Sequence, residues 1–352
     1  MGESPIPDFT PVHLLTGFLG SGKTTVLSRL LRDPALADTA VLINEFGEIG
    51  LDHHLVERVD ETVVLLGSGC ICCTVRGELS DAIRSLLSQR ERGLVPAFRR
   101  IVIETTGLAD PGPVIGTLTA DPMLRHHVRL GAVVATVDAV NGADTLARHP
   151  ESVAQVAAAD RLVLTKTDLA DAAAVETVTG TLRSLNPTAG LVRSAEVPLD
   201  AERLLSVRPN ITAAALSRMR CLPVDDPDPL VPAAVPGPHT APAESFSLTV
   251  ERPLDWSLFG LWLSMLLHRH GAEILRVKGI LNIEGTSAPV AIHGVQHLVH
   301  PPTHLPAWPD ADHRSKLVFI VRGLQPTTIR RSLAAFGALA ADGAGGSASN
   351  LQ

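Results

Sequence analysis

Gly17-Phe18-Leu19-Gly20-Ser21-Gly22-Lys23-Thr24 has the spacing G-x-x-x-x-G-K-T, and each fixed position suits a task at a polyphosphate. The glycines let the backbone curl until its N–H groups converge on phosphate oxygens. Lys23 can reach the β- and γ-phosphates, and Thr24 can place a hydroxyl on Mg²⁺. The pattern has meaning only between a strand and a helix. Here the apolar run Val12-His13-Leu14-Leu15 precedes it, and Thr25-Val26-Leu27-Ser28-Arg29-Leu30-Leu31, with helical spacing, follows. This context predicts a loop that binds a nucleoside triphosphate.

Two further apolar runs end in residues that extend the site. Ile101-Val102-Ile103-Glu104-Thr105-Thr106-Gly107 reads as a strand closed by a carboxylate and then x-x-Gly. At the carboxyl edge of a parallel sheet, Glu104 can hold the Mg²⁺ shell and Gly107 can offer a backbone N–H to the γ-phosphate. E-x-x-G alone is a weak signal. It gains force from lying about 80 residues after the phosphate loop, and Lys23, Thr24 and Glu104 become the candidate catalytic residues. Leu162-Val163-Leu164-Thr165-Lys166-Thr167-Asp168 is a strand running into T-K-x-D. Asp168 would accept hydrogen bonds from the ring N–H and amino group of guanine, with the Lys166 stem over the base. Adenine lacks those donors, so GTP is the expected nucleotide. Leu108 stands where signalling GTPases have a water-orienting Gln, which predicts slow hydrolysis unless another group or a partner completes the site.

A different chemistry sits at Gly69-Cys70-Ile71-Cys72-Cys73-Thr74, where three of the four cysteines fall within four residues. Thiolates are soft ligands that suit Zn²⁺, Cu⁺ and Co²⁺. A structural zinc site wants four ligands, and the remaining cysteine, Cys221, is distant. The cluster therefore reads as an exchangeable metal site completed by carboxylate, water or histidine. Buried apolar cysteines, a redox pair and iron–sulfur ligation are the competing readings. Adjacent cysteines close strained rings, and a cluster would need a fourth thiolate. His53, His54, His126, His127, His293, His297, His300, His304 and His313 are weaker candidates for auxiliary ligands.

These residues need a scaffold, and the chain supplies one. Its 352 residues suggest two domains, with 45% hydrophobic and 19% charged content, as in globular proteins. A net charge of −7 argues against nucleic acid as a partner. No run of 18 apolar residues is present, and Met1 to Thr10 lacks a basic leader, so the expectation is a cytoplasmic protein with reduced thiols and no membrane span. Val41-Leu42-Ile43, Val63 to Leu66, Ile101 to Ile103, Val133 to Val137, Leu162 to Leu164 and Leu191-Val192 alternate with helical patterns. That arrangement predicts an α/β domain, a mostly parallel sheet flanked by helices, over residues 11–218. Seven prolines between Leu222 and Pro242 mark a linker, placed at 219–243. A smaller α+β domain follows at 244–337. It has a strand at Phe246 to Val250, a helix from Leu254 to His268, strands at Leu275 to Ile283, Val290 to Val299 and Leu317 to Val321, and a last helix from Pro326. Trp256, Phe259 and Trp262 are expected in its core. Residues 1–10 read as an extension, and 338–352 as a Gly/Ala/Ser-rich disordered tail.

The phosphate loop, C-I-C-C, E-T-T-G and T-K-T-D, in this order, resemble the CobW/YjiA-type metal-trafficking P-loop GTPases. The resemblance extends to Asn44-Glu45-Phe46-Gly47-Glu48, to Ala109 through Pro113, and to Leu275 through Gly279, Gly294-Val295-Gln296 and Val318-Phe319-Ile320 in the second domain. It implies a GTP-dependent metallochaperone, most often for Zn²⁺ and in cobalamin-linked members for Co²⁺, that delivers metal to a client metalloprotein. A zinc buffer or sensor and a metalloenzyme-maturation chaperone are the alternatives. By motif, Gly20, Ser21, Gly22, Lys23, Thr24 and Thr25 would bind phosphates and Mg²⁺, Lys166 and Asp168 the guanine, and Cys70, Cys72 and Cys73 the cargo metal, with Glu45 a switch residue beside it. A monomer or weak homo-oligomer is expected. Thr165 replaces the commoner Asn, which implies looser base affinity with unchanged specificity.

Overall fold

The computed structural model describes residues 9–43, 63–65, 75–194, 199–206, 211–225 and 242–345. The chain divides into two compact units, Met1–Leu182 with Ala189–Arg208, and Arg183–Thr188 with Pro209–Gln352.

In the first unit the apolar runs become seven parallel strands. They are β1 (Thr10–Gly17), β2 (Thr39–Ile43), β3 (Val63–Leu65), β4 (Arg100–Glu104), β5 (Val128–Asp138), β6 (Arg161–Thr165) and β7 (Gly190–Arg193), in the order β3-β2-β4-β1-β5-β6-β7. Helices α1 (Lys23–Leu30), α2 (Val75–Glu91), α3 (Pro111–Ala120), α4 (Gly142–Arg148), α5 (Pro150–Ala158), α6 (Ala172–Leu185) and α7 (Ala201–Leu205) connect or follow them. A sheet covered on both faces needs strands that are apolar throughout, which is why these runs do not alternate. On one face Leu15, Val41, Val102, Val134 and Val163 pack with Val26, Leu27 and Leu30 of α1 and with Leu204 and Leu205 of α7. On the other, α3 and α5 pack against the central strands. Local signals start the helices: Asp110 accepts a hydrogen bond from the Gly112 N–H at 2.8 Å, with Pro111 at the first helical position.

The strand order creates the site. The chain leaves β1 toward β2 on one side and leaves β4 toward β5 on the other, although β1 and β4 are neighbours. A crevice therefore opens at their carboxyl ends, where ligands of α/β sheets bind. The register pairs Leu15 with Glu104, so Glu104 ends its strand beside the start of the phosphate loop.

The second unit is a mixed sheet backed by two helices. Strands β8 (Arg220–Pro223), β9 (Ala243–Val250), β10 (Ile274–Leu281), β11 (Val290–Val295), β12 (Leu298–Val299) and β14 (Ser315–Arg322) run in the order β12-β11-β10-β14-β9-β8, with β13 (Thr303–His304) against β11. A one-turn helix, α8 (Ala213–Leu216), comes before β8. Phe246, Leu248 and Val250 on β9 and Leu317, Phe319 and Val321 on β14 alternate onto one face. There they meet Phe259, Trp262 and Leu266 of α9 (Trp256–His270) and Ile329 and Leu333 of α10 (Pro326–Gly345).

Four details differ from the sequence expectations. The run from Val290 to Val299 is a hairpin, because the chain reverses at Gln296, whose φ of 51° lies in the left-handed region. The proline-rich segment begins as strand: β8 pairs in parallel with β9 at the sheet edge, where Pro223 need not donate to a ladder. Helix α10 continues to Gly345, past the point where the tail composition predicts disorder; its alanines favour helix. Trp262 is buried, its indole N–H donating to Ser332 Oγ at 3.0 Å, and Phe259 packs beside it, but Trp256 stands 42% exposed at the helix start.

Candidate functional site

The phosphate loop leaves β1 through Gly17, whose φ of 143° and close approach to Thr136 exclude a side chain; a Cβ there would lie 2.6 Å from the Thr136 carbonyl oxygen. Gly20 and Gly22 also have positive φ, 69° and 88°, so the loop curls as its glycine spacing predicts. Ser21 fastens it: its hydroxyl lies 2.6 Å from Thr136 Oγ1 on β5, and its N–H donates to the Phe18 carbonyl at 3.1 Å. Lys23 and Thr24 open α1, and Thr25 is exposed one position later. The Lys23 ammonium donates to the Phe18 carbonyl at 3.2 Å, across the mouth of the loop.

Thr24 and Glu104, 80 residues apart, meet directly: Thr24 Oγ1 donates to Glu104 Oε1 at 2.8 Å. Glu104 is buried, at 5% exposure. A hydroxyl and a carboxylate in contact at the edge of a triphosphate loop form a hard-oxygen donor pair of the kind Mg²⁺ takes. Gly107 lies against the same loop, since a Cβ on it would sit 2.6 Å from the Leu19 backbone nitrogen. The two motifs thus form one constellation.

The T-K-T-D segment docks on the loop as well. Thr165 Oγ1 donates to the Ser21 carbonyl at 2.7 Å and lies 3.2 Å from the Val137 carbonyl. Thr165 therefore ties the T-K-T-D turn to the phosphate loop. Lys166 has a φ of 55°, which costs a residue with a Cβ about 1 kcal/mol or more. Its ammonium is held by Asp138 Oδ2 at 2.7 Å. Burial raises the Asp138 pKa, but hydrogen bonds from Lys166, from the Asn141 and Val140 amides and from the Asn141 side chain outweigh it and hold the carboxyl below its ordinary range. Asp168 is exposed on the turn that follows.

Glu45, Cys70, Cys72 and Cys73 lie outside the described residues, as do His53 and His54. Among the described residues, no group of three or more His, Cys, Asp or Glu gathers to hold a metal. His297 Nδ1 lies 2.9 Å from the Leu267 carbonyl, and His313 stacks on Trp308. Cys221 is exposed, with its sulfur 3.2 Å from Thr249 Oγ1. No described helix is long and apolar enough to cross a membrane.

Sequence reasoning missed Asp138, although the signal that singled out Glu104, an acid closing an apolar strand, is present there too. It also missed Gln155, which sits inside a helix without any motif, and the contact between Phe18 and His149, whose rings lie 4.5 Å apart.

Comparison with known proteins adds the following. The family model for the CobW/HypB/UreG nucleotide-binding domain matches residues 11–193, and that for the cobalamin synthesis protein cobW C-terminal domain matches residues 243–337. The zinc chaperone YjiA of Escherichia coli (strain K12) is 33% identical over 335 residues, covering 92% of this chain and 97% of the relative. The zinc-regulated GTPase metalloprotein activator 1 of Schizosaccharomyces pombe is 37% identical over 201 residues, 55% of this chain and 47% of that longer relative. The crystal structure of Zn(II)-bound YjiA GTPase from E. coli superposes with a TM-score of 0.65 at 28% identity, covering 94% of this chain and 99% of that one.

Proposed function

The chain belongs to the CobW/HypB/UreG family of nucleotide-binding proteins, and we propose that it is a GTPase whose cycle takes up zinc at Cys70, Cys72 and Cys73 and delivers it to a client protein. The observation that carries the nucleotide half is the junction of three motifs on one loop. Thr24 bonds Glu104, Gly107 abuts Leu19, and Thr165 bonds Ser21. The metal half rests on the soft-ligand chemistry of the cysteine cluster and on relatives named as a zinc chaperone and a zinc-regulated activator.

In this reading the loop amides and Lys23 neutralise the β- and γ-phosphates. Thr24 and Glu104 would hold Mg²⁺, which when bound offsets charge developing on the phosphoryl oxygens. Lys166, fixed by Asp138, lies over the guanine, and Asp168 accepts its N–H donors. Water attacks the γ-phosphorus and yields GDP and phosphate. Leu108, in place of a water-orienting amide, keeps the intrinsic rate low, which suits a device that waits for its acceptor. The triphosphate holds Asn44 to Glu48 and the Cys70–Cys73 segment in the metal-binding state, and hydrolysis releases both.

The test is a single-turnover release assay. Protein loaded with zinc and GTP is mixed with a chromophoric chelator, and phosphate and zinc are followed together. Zinc appearing at the rate of phosphate, with Thr24→Ala slowing both, supports the reading. Zinc leaving at a rate indifferent to hydrolysis contradicts it.

A further inference from the structure

Helix α5 carries a buried polar side chain that the nucleotide motifs do not account for. Gln155 is 1% exposed, and its amide nitrogen donates to two carbonyls of one segment, Gly107 at 3.0 Å and Ala109 at 3.0 Å. Both amide hydrogens are thereby used on the residues that flank Leu108, which stands exposed between them. Gln155 Oε1 is buried with no hydrogen-bond partner among the described residues. A buried acceptor without a donor is destabilising, so what the side chain contributes lies in the two carbonyls it holds, which a methionine would leave without these donors.

The geometry connects this clasp to one peptide plane. The Ala109 N–H donates to the Thr106 carbonyl at 3.2 Å. The Thr106 C=O and the Gly107 N–H belong to the same peptide unit, so whatever fixes Ala109 also fixes the Gly107 N–H. On its other side Gly107 is backed by the Leu19 main chain. The start of the same helix reaches the phosphate loop itself, where His149, its N-cap residue, lies against Phe18 with ring centroids 4.5 Å apart. One helix thus touches the phosphate loop through its N-cap residue and the Glu104-x-x-Gly107 segment about two turns later.

We propose that Gln155 is a positioning residue for the triphosphate state, clasping the Gly107 and Ala109 carbonyls so that the Gly107 N–H is preorganised for a γ-phosphate. This rests on the GTPase reading above. GDP has no γ-phosphate, so the clasp should distinguish the two nucleotides, whereas a buttress of the helix would affect both alike.

The experiment compares wild type, Gln155→Met and Gln155→Glu as full chains, each titrated with GDP and with a non-hydrolysable GTP analogue plus Mg²⁺, and each followed through single-turnover hydrolysis. Methionine removes the donors and the orphan acceptor at similar length, and glutamate faces the two carbonyls with a carboxylate. The expected result is GDP affinity within about twofold of wild type, analogue affinity about tenfold weaker for Gln155→Met and more for Gln155→Glu, and hydrolysis at saturating GTP slowed by a similar factor, as expected when the backbone of one residue must be ordered on binding. Equal loss for GDP and analogue, or no loss for either, overturns the proposal. Wild type failing to prefer the GTP analogue over the matching ATP analogue would instead defeat the GTPase reading. Hydrogen exchange on the unmodified protein gives a reading that needs no variant. Because the clasp does not require the γ-phosphate, the Ala109 amide should be protected with GDP alone bound, and free exchange there overturns the proposal.

Discussion

Adding one methyl group at Gly107 tests whether the E-x-x-G segment and the phosphate loop share a site. Gly107 has no positive φ, so its backbone tolerates an L side chain and the whole effect of Gly107→Ala is steric. The new Cβ would lie 2.6 Å from Leu19 N, 2.8 Å from Leu19 Cα and 2.7 Å from Leu19 Cδ2. The last atom can rotate away; the first two are main chain of the phosphate loop and cannot. Overpacking of this kind costs about 1–3 kcal/mol. The segment can relieve it only by drawing back from Leu19, which moves the Gly107 N–H away from a γ-phosphate. The penalty should therefore fall on triphosphate binding, as a loss of about 5- to 150-fold for a non-hydrolysable GTP analogue. GDP binding, which does not use Gly107, should change far less. Fluorescent GDP and GTP-analogue titrations, with thermal melts to confirm the fold, read both numbers. Unchanged analogue affinity at unchanged Tm would mean that Leu19 and Gly107 separate at no cost, and the single-site argument would fail.

The remaining predictions concern the residues that support the site. Asp138→Asn removes the charge that holds Lys166 at 2.7 Å. Because the lysine is partly exposed, the loss should be modest, about fivefold in affinity for GTP analogue and GDP alike, and calorimetry showing an effect on one nucleotide only would refute the guanine-side assignment. Thr165→Val deletes the buried hydroxyl that donates to the Ser21 carbonyl; denaturant unfolding should show a loss of about 1–2 kcal/mol, with both nucleotides bound more weakly. His13 sits buried in β1, its Nδ1 accepting the Ala132 N–H at 3.0 Å, and burial, with help from Arg100 and Arg129 against Asp160, lowers its pKa from 6.5 to about 4. The unfolded chain therefore binds the proton first as pH falls. The stabilisation is complete above pH 6.5 and is lost toward pH 4, by about 3 kcal/mol in total. His13→Asn, which keeps an acceptor but does not titrate, should flatten the stability curve between those limits.

The fold was legible where one signal decided it. Continuous apolar runs such as Ile101 to Ile103 and Leu162 to Leu164 can be satisfied only by strands covered on both faces, and they became β4 and β6. The phosphate loop was legible because its glycines are required by backbone conformation, as the positive φ of Gly20 and Gly22 shows. The hairpin within Val290 to Val299 was not, because Gln296 carries a positive φ that glycine or asparagine would have announced. Gln155 was equally hidden. Its function depends on two carbonyls almost fifty residues earlier in the chain, and nothing in the local pattern distinguishes it from a solvent-facing glutamine. Asp138 could have been found, since it closes β5 as Glu104 closes β4. The pairing of Asp138 with Lys166 could not, because it depends on β5 and β6 being neighbours in register.

The central claim is that nucleotide state and metal affinity are coupled, and linkage makes it directly measurable. The measurement is the zinc affinity of the full chain, by competition with a chromophoric chelator, without nucleotide, with GDP, and with a non-hydrolysable GTP analogue plus Mg²⁺. The account predicts tight 1:1 binding with the analogue alone, lost in Cys72→Ala, and a matching gain in analogue affinity when zinc is present. Equal zinc affinity in all three states would contradict it.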